Sequence, residues 1–284
     1  MAEPSPPPEE HPRAEPAPPA PHPPYVRLRV GRIVLALLVV SGGLALILTI
    51  GVTRERAAQQ PPRQFTVQEL KPPPGATAPR AGLPAPEDRP NASDQAALDD
   101  WADQVARSTR IPARVLVAYG RAEMWMRSQQ PGCKINWVTI AGIGRAESGH
   151  GSFGGAQIGL DGRVTKPIIG PPLDGQEGVK AIPDTEGGRL DGDTQWDRAV
   201  GPMQFLPQTW DRWGERATGD GADPDPQHID DAALGTARYL CSGGADLTTP
   251  DGWWKAVLTY NQSVEYGQDV FSGADAYAAA SAAP

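Results

Sequence analysis

The sequence predicts a mainly α-helical domain that is preceded by one transmembrane helix. Residues 33–52 form an apolar run of 20 residues without a charged side chain, which is long enough to span a bilayer. Apolar residues recur at spacings of three and four through much of residues 93–271, and that stretch is long enough for one compact domain. Prolines separate the two parts, because 20 of the 32 prolines lie before residue 91.

Proline content divides the first 92 residues into three predicted segments. Residues 1–30 are polar and rich in proline, which predicts a disordered tail, and residues 31–53 contain the transmembrane helix. Residues 54–92 are again rich in proline and predict a semi-rigid linker that spans roughly 100 Å when extended. A cleaved signal peptide is the alternative for the apolar run, but charged residues rather than a small-residue cleavage site follow it. Arginines flank both ends of the run, so charge alone does not orient it.

Each helix of the predicted domain has its own start signal or apolar face. Leu98, Trp101 and Val105 belong to the first helix, and Pro112 suits the first turn of the second. The third helix ends at Glu147 and is apolar nearly all round, which is typical of a buried helix. Three further helices are predicted over residues 207–213, 229–241 and 253–263.

A stretch rich in glycine, aspartate and proline, residues 152–195, lies between the third and fourth helices. Only residues 164–169 within it have a strand-like pattern, so a long loop or a short hairpin is predicted. Loops of this length often have functional roles, for instance as lids. The alanine-rich residues 272–284 predict a flexible C-terminal tail.

Glu147 is a candidate functional residue because it ends the apolar third helix and a glycine-rich stretch follows at once. It shares a helix face with Ile140, Ile143 and Gly144. A carboxyl group against such a face is expected to have a raised pKa, since burial disfavours its charged form. A raised pKa suits a general acid. A solvated glutamate at a helix end is the alternative interpretation of this residue taken alone.

Two further segments of the sequence bear on the function of Glu147. Residues 196–210 read Trp-Asp-Arg-Ala-Val-Gly-Pro-Met-Gln-Phe-Leu-Pro-Gln-Thr-Trp, and residues 256–266 read Ala-Val-Leu-Thr-Tyr-Asn-Gln-Ser-Val-Glu-Tyr. Together with the sequence Glu-Ser-Gly-His-Gly at 147–151, they resemble the MltB-like lytic murein transglycosylases in their actinobacterial form. The resemblance covers about residues 93–271. It implies a lysozyme-like α+β catalytic domain with a long loop or short hairpin.

The resemblance implies cleavage of the β-1,4 bond between N-acetylmuramic acid and N-acetylglucosamine in peptidoglycan glycan strands. In this family the C6 hydroxyl of the muramic sugar attacks its own anomeric carbon and forms a 1,6-anhydro ring. One acid/base residue then suffices, and the resemblance assigns that role to Glu147. No cofactor is implied.

Further site residues follow from the resemblance. Gln204 is expected to hydrogen-bond an N-acetyl or hydroxyl group in the sugar groove, with a packing amide as the alternative. Tyr260 and Asn261 are expected to orient Glu147 and to brace the acetamido group. Trp196 is expected to line the groove, because it lies in a loop beside the glutamine segment.

The segments contain three more candidates. Ser148 is either a substrate-binding residue or a local helix-end residue, and Tyr266 is an additional candidate in the third segment. His150 is interpreted as structural rather than as a base. The family often has a serine shortly before the Gly-x-x-Gln-Phe pattern, but this chain has no serine in residues 195–200, so that contact is unassigned.

Cys133 and Cys241 are the only cysteines of the chain. In an extracytoplasmic domain a single pair favours a disulfide, and two buried thiols are the alternative. Asp220, Asp223 and Asp231 lie in an oxygen-rich loop that resembles a calcium site in composition. Two prolines interrupt this loop and the regular calcium-loop spacing is missing, so an aspartate-capped turn is expected instead of a metal site.

The net charge of −8 and the lack of a basic stripe with interleaved aromatic residues argue against nucleic-acid binding. The sequence thus predicts a single-pass plasma-membrane protein with an extracytoplasmic lytic transglycosylase domain. Its expected partners are glycan strands, the membrane and, through the tail, cell-wall synthesis or division proteins. A non-catalytic wall-binding scaffold is one alternative. A muramidase is the other, and its second carboxylate would come from Asp184, Asp191, Asp193 or Asp197.

Overall fold

The computed structural model describes residues 65–83, 92–176 and 180–282. These residues belong to one compact unit that begins at Phe65. The predicted tail, the predicted transmembrane helix and the start of the predicted linker lie outside the described residues. Of the helices that are described, none has both the length and the apolar composition that a membrane span requires.

The described part of the chain is mainly helical, as the sequence predicts. Its seven α-helices are α1 (Ala92–Thr109), α2 (Ala113–Gln129), α3 (Trp137–Ser148), α4 (Pro207–Trp213), α5 (Ile229–Cys241), α6 (Pro250–Tyr260) and α7 (Val264–Ser281). The β structure in these residues consists of isolated antiparallel bridges, among them Ile158 with Val164 and Ile169 with Val200. The long loop between α3 and α4 is therefore present, and its hairpin is reduced to single bridges.

Helix α3 lies at the centre of the core. Trp137, Ile140 and Ile143 have no solvent exposure. This helix packs most extensively against α7, while α2 packs against α1 on one side and α5 on another. The burial predicted from the apolar pattern of α3 is confirmed, and the end of this central helix is where Glu147 lies.

The two ends of α3 are fixed by different means. At its start, buried Glu123 accepts the backbone N–H of Trp137 at 2.6 Å, and Arg127 donates to the same carboxylate at 2.5 Å. A carboxylate there satisfies a free N–H and complements the positive end of the helix dipole. At its end, Gly149 adopts a left-handed backbone with φ of 58°, and its N–H donates to the Arg145 carbonyl. Helix α3 is therefore held in place at both ends.

Residues 65–83 pack against the helices, which corrects the predicted domain boundary at residue 93. We call this segment the strap. Ala78 and Leu83 in the strap are each only 7% exposed. The composition predicts a linker because a proline-rich stretch carries no helix or strand signal. A segment without regular structure can nevertheless be held by buried apolar side chains and by hydrogen bonds to its backbone.

Side chains of the domain provide those hydrogen bonds to the strap. The indole N–H of Trp254 donates to the Ala76 carbonyl at 3.1 Å. The side chain of Asn136 accepts the Ala81 N–H at 3.0 Å and donates to the Ala81 carbonyl at 2.9 Å. Because Asn136 directly precedes α3, the strap contributes to the position of that helix.

The C-terminal residues are helical, which corrects the predicted flexible tail of residues 272–284. Helix α7 continues to Ser281, and Ala274 and Tyr277 within it are buried. Alanine is the strongest helix former, and glycines at the contact, Gly142 of α3 and Gly273 of α7, permit the close approach of the two helices. Alanine-rich composition thus marks a closely packed helix here rather than a frayed end.

Cys133 and Cys241 form a disulfide, which confirms the predicted pairing. Their Cα atoms lie 5.5 Å apart, although 108 positions separate them in the sequence. The bond joins the segment before α3 to the last residue of α5. It therefore links the helix that ends at Glu147 to the α2–α5 side of the core.

Candidate functional site

The three sequence segments that include Glu147 meet in the fold. Tyr266, in the first turn of α7, donates its hydroxyl hydrogen to Glu147 Oε1 at 2.5 Å. Ser148 donates to the Pro202 carbonyl at 2.5 Å, in the loop before α4. Tyr260, at the end of α6, donates to another backbone carbonyl of that loop at 2.6 Å. The end of α3, the loop before α4 and the α6–α7 turn therefore form one site.

Glu147 is a partly buried acid whose pKa is raised to about 7. Burial is the cause of the rise, and the hydrogen bond from Tyr266 acts in the opposite direction. Among the described residues, no neighbouring charge contributes to this shift. Burial and the Glu147 charge in turn raise the pKa of Tyr266, so its hydroxyl remains a donor. The site thus combines an acid that is about half protonated near pH 7 with a fixed donor for its carboxylate form.

The hydrogen bond to Glu147 corrects one part of the role predicted for Tyr260, the orientation of the acid, while its predicted contact with an acetamido group stays a prediction. The sequence assigns the orientation of Glu147 to Tyr260 and Asn261, but the structure gives this contact to Tyr266. The hydroxyl of Tyr260 is engaged by the Met203 carbonyl. Tyr260 still lies near the acid, since the Glu147 charge adds to burial in raising the Tyr260 pKa. Tyr260 therefore supports the loop before α4, while Tyr266 holds the carboxyl group.

Asn261 is exposed at the end of α6, and its Oδ1 accepts the Ser263 N–H at 3.1 Å. Ser263 in turn caps α7 by accepting the Tyr266 N–H at 3.3 Å. In the described residues, Asn261 makes no hydrogen bond to Glu147. Its observed contribution is to the turn that presents Tyr266, and its predicted contact with an acetamido group stays a prediction.

Ser148 packs between the end of α3 and two neighbouring loops, and its predicted role in substrate binding stays a prediction. It is only 5% exposed. Its Oγ donates to the Pro202 carbonyl and accepts the Gly151 N–H at 2.8 Å. Ser148 therefore ties the end of α3 to two loops, and this role agrees with the alternative of a local helix-end residue.

Gln204 lies in a strained part of the loop before α4. Its φ is 50°, a left-handed conformation that costs a non-glycine residue about 1 kcal/mol and is common at functional sites. Its side-chain amide donates to the Gly201 carbonyl at 2.9 Å. Gly201 itself must be glycine, because a Cβ there would lie 1.8 Å from the Pro226 carbonyl oxygen. The partly buried amide of Gln204 thus shapes its own loop, and its predicted sugar contact is untested.

Trp196 is partly exposed in the long loop between α3 and α4, and its backbone N–H donates to Asp193 Oδ1 at 3.2 Å. Within the described residues, no hydrogen bond joins Trp196 to Glu147. The predicted place of Trp196 in the sugar groove stays a prediction.

The four aspartates considered for a second carboxylate are engaged by the long loop itself. Asp197 is 1% exposed, and the others accept hydrogen bonds from nearby backbone or arginine groups. These contacts form the turns of the loop, so the carboxylates have structural roles there. Asp197 accepts from Thr185, and Asp184 accepts from the backbone N–H groups of residues 186–188. Asp191 accepts from the backbone N–H groups of Asp193 and Arg198, and Asp193 accepts from the Arg198 side chain.

His150 is structural, in agreement with its interpretation from the sequence. Its Nδ1 lies 3.1 Å from the Tyr119 hydroxyl and its Nε2 lies 2.8 Å from the Tyr277 hydroxyl. Burial, with a smaller effect from the charge of Arg145, lowers the His150 pKa to about 3. A neutral ring with both nitrogens engaged is a poor general base near neutral pH.

The side chain of Arg216 binds aspartates at both ends of the oxygen-rich loop, residues 220–231. Arg216 donates to Asp220 at 2.8 Å and to Asp231 at 2.8 Å, and it holds the pKa of Asp220 well below its usual range. Asp231 also accepts backbone N–H groups from Ala217 and Asp225. Asp223 is exposed, and the described residues contain no group of three or more His, Cys, Asp or Glu side chains suited to a metal. The hydrogen bonds of Asp231 are those of a capped turn.

Comparisons of the chain with protein-family models, with curated proteins and with solved structures found no match. Function is therefore inferred from the residues of this chain and from their geometry.

Proposed function

We propose that this protein is a membrane-anchored peptidoglycan lytic transglycosylase with a lysozyme-like catalytic domain. The observation that supports this most directly is the meeting of three separate segments at Glu147, whose pKa is about 7. These are the segments that resemble the MltB-like family. That resemblance supplies the substrate class, the MurNAc-β-1,4-GlcNAc bond of glycan strands.

The proposed reaction uses Glu147 twice. The protonated carboxyl gives its proton to the glycosidic oxygen between C1 of MurNAc and C4 of GlcNAc, and the C1–O bond breaks. The C6 hydroxyl oxygen of the same MurNAc then bonds to C1, and its proton passes to the Glu147 carboxylate. The products are a GlcNAc end with a free 4-hydroxyl and a 1,6-anhydro-MurNAc end, and no water is consumed. The attack is intramolecular, so proximity supplies much of the rate.

The environment of Glu147 suits both steps. An acid whose pKa lies near neutrality gives up and takes back a proton with little bias in either direction. Tyr266 stabilises the intermediate carboxylate, because its hydroxyl already donates to Oε1. The loop aspartates are engaged in turns, which favours a single-acid reaction over hydrolysis with two carboxylates.

The proposed location is the plasma membrane, with residues 31–53 as a single span and the catalytic domain outside. The disulfide fits this location, since disulfides persist in oxidising compartments. The proposed partners are glycan strands for the domain and the membrane for the helix. The proline-rich residues 1–30 would then be available to cell-wall synthesis or division proteins.

Mass spectrometry of digested peptidoglycan tests the proposal. Purified full-length chain is incubated with peptidoglycan beside its Glu147→Gln variant. Muropeptides lighter than the hydrolytic product by one water, formed only by the unaltered chain, are the expected result. Ordinary reducing ends would instead identify a muramidase. Retained peptidoglycan binding without any product would identify a scaffold.

A further inference from the structure

Two side-chain contacts with hydrogen bonds join α3 to α7 among the described residues. The first is the bond from Tyr266 to Glu147 in the candidate site. In the second, the Arg145 guanidinium donates to Asp269, both to its backbone carbonyl at 2.8 Å and to Oδ1 of its side chain. Arg145 precedes Glu147 on α3 by two residues, and Asp269 follows Tyr266 on α7 by about one turn. The ion pair therefore neighbours the bond to the acid on both helices.

The Arg145 side chain is enclosed where α3 and α7 pack. It is only 25% exposed, and a Cβ on Gly273 of α7 would lie 2.8 Å from its Nε. Within the described residues, this Nε is buried and has no acceptor. A buried donor without an acceptor is unfavourable. The position of the guanidinium is therefore set by Asp269 and by the packing of the helices, and not by the needs of all its donors.

The bond from Tyr266 to Glu147 depends on how α7 lies along α3. The two oxygens are 2.5 Å apart, and a bond between a hydroxyl and a carboxyl group weakens beyond about 3 Å. A small displacement of α7 is thus enough to weaken it. Arg145 binds a backbone atom of Asp269 as well as the side chain. It therefore holds the helix itself, and not only a carboxylate that can rotate.

We propose that Arg145 and Asp269 are positioning residues that hold α7 so that the Tyr266 hydroxyl meets Glu147. An ion pair that only stabilised the fold would leave the ionisation of Glu147 unchanged, whereas a positioning pair affects it through Tyr266. The consequence for catalysis rests on the proposed function. The hydrogen bond and its dependence on the ion pair do not.

Other ionisable groups lie around these residues. Tyr260 and Tyr266 face Glu147, and burial raises the pKa of both hydroxyls above the ordinary value, so both stay neutral at neutral pH. The Asp269 charge reaches Tyr266 and Tyr277. The Arg145 charge reaches Tyr277 and His150, a ring that is already neutral. Near neutral pH, Glu147 is therefore the group of this cluster that changes its charge.

Titration of the Glu147 carboxyl group by NMR tests the proposal without a substrate. The full-length chain in mild detergent carries isotope-labelled glutamate carboxyl groups, and the Glu147 signal is the one absent from Glu147→Gln. In Asp269→Ala we expect the titration midpoint to rise towards that of Tyr266→Phe, because the hydrogen bond that lowers it is weakened. Loss of the negative charge alone acts in the opposite direction. An unchanged or lowered midpoint in folded Asp269→Ala would overturn the proposal.

Two further variants separate geometry from charge. Asp269→Asn keeps an oxygen that accepts from Arg145 but has no charge, and its midpoint should stay near that of the unaltered chain. Equal midpoints for the Asn and Ala variants would contradict a positioning role. Asp211→Ala is the matched control, since Asp211 is a helical aspartate of similar exposure whose Oδ1 accepts from Arg189 at 2.8 Å. Its midpoint should not move, and a rise equal to that of Asp269→Ala would also count against the proposal.

A double variant tests whether the effect passes through Tyr266. Tyr266→Phe/Asp269→Ala should titrate at the same midpoint as Tyr266→Phe alone, because the hydrogen bond is already lost. A further rise in the double variant would show that Asp269 acts on Glu147 by another route, and the positioning role would then be wrong.

The release of 1,6-anhydro muropeptides separates this proposal from the proposed function. In Asp269→Ala, the fall of activity with rising pH should move to higher pH, with an unchanged half-saturating peptidoglycan concentration. If the unaltered chain releases no anhydro product but the NMR midpoint still rises in Asp269→Ala, the proposed function fails and the positioning role stands. If product is released and the midpoint does not move, the positioning role fails and the proposed function stands.

Discussion

The fold that surrounds Glu147 shifts its ionisation towards the neutral form. Ile140 and Ile143, which share its helix face, have no solvent exposure, and burial raises the Glu147 pKa from 4.5 to about 7. The charged form is therefore less favourable in the folded protein than in the unfolded chain. The contribution of Glu147 to stability is most favourable below pH 4.5, and it is lost as the pH rises to and through about 7.

Replacing Glu147 by Gln therefore has opposite effects on activity and stability. The variant loses the transferable proton, and we expect its rate in the proposed cleavage of glycan strands to fall by at least about 100-fold. Near pH 8 the free energy of unfolding of the variant should be about 2 kcal/mol higher than that of the unaltered chain, because the variant does not bury a charge at this position. At pH 4 the two proteins should be equally stable. Denaturant unfolding at both pH values measures this, and equal stability at pH 8 would show that the carboxyl is solvated.

Burial raises the pH at which Glu147 loses its proton, and Tyr266 acts against this rise. Its hydrogen bond lowers the Glu147 pKa, so Tyr266→Phe should raise that pKa further. The proposed reaction starts from the protonated acid, so we expect activity to fall as the pH rises through about 7, and in Tyr266→Phe this fall should move to higher pH. A pH–rate profile measures the shift. Tyr277→Phe is the control, since Tyr277 bonds His150 rather than Glu147, and an equal shift there would contradict the assignment.

The strap shows how an irregular element stabilises regular ones. Its backbone is bound by Trp254 and by Asn136, and the Trp137 indole N–H donates to the Gly82 carbonyl at 3.3 Å. Asn136 directly precedes α3 and Trp137 is its first residue, so the strap acts on the helix that carries Glu147 near its end. A segment that the sequence predicts as part of a linker thus packs against the helix that carries the candidate site.

Removal of the strap should destabilise the domain. A chain that begins at residue 93 loses the buried side chain of Leu83 and the contacts of Ala78, and we expect its free energy of unfolding to fall by about 3 kcal/mol. A chain that begins at residue 65 is the control and should match the full-length protein. Urea unfolding of the three chains measures the difference. If the two shorter chains were equally stable, the strap would contribute no net packing energy.

The compact unit that begins at Phe65 is held together by contacts between distant parts of its sequence. The disulfide closes a separation of 108 residues, and the strap reaches Ser272 of α7 through the Leu70 N–H. Residues 65–284 form one compact unit as a result. We therefore expect this unit to unfold in one cooperative transition.

Reduction of the disulfide tests the contribution of the long closed loop. In the chain-entropy account, a loop of this size contributes about 4–5 kcal/mol to stability. Calorimetry with and without reductant should show a lower unfolding temperature in the reduced protein, and the Cys133→Ala/Cys241→Ala double variant should give the same lower value in both conditions. An unchanged temperature on reduction would mean that the bond adds nothing to stability in solution.

The sequence by itself determined the features that depend on neighbours along the chain. Helices α4 and α5 are predicted to the residue, because Pro207 and the apolar spacing from Ile229 are local signals. The buried face of α3 and the raised pKa of Glu147 follow from the same periodicity. The cysteine pairing follows from there being two cysteines and a predicted extracytoplasmic domain.

Only the tertiary structure decided which groups meet across long separations. It selects Tyr266 rather than Tyr260 as the partner of Glu147, 119 positions away, because the α6–α7 turn directs one hydroxyl to the acid and the other to a backbone carbonyl. It also places the strap against α3 and assigns Ser148 to packing. Residue type and spacing do not encode these contacts, since they depend on how whole helices pack and on which hydrogen-bonding groups that packing leaves free.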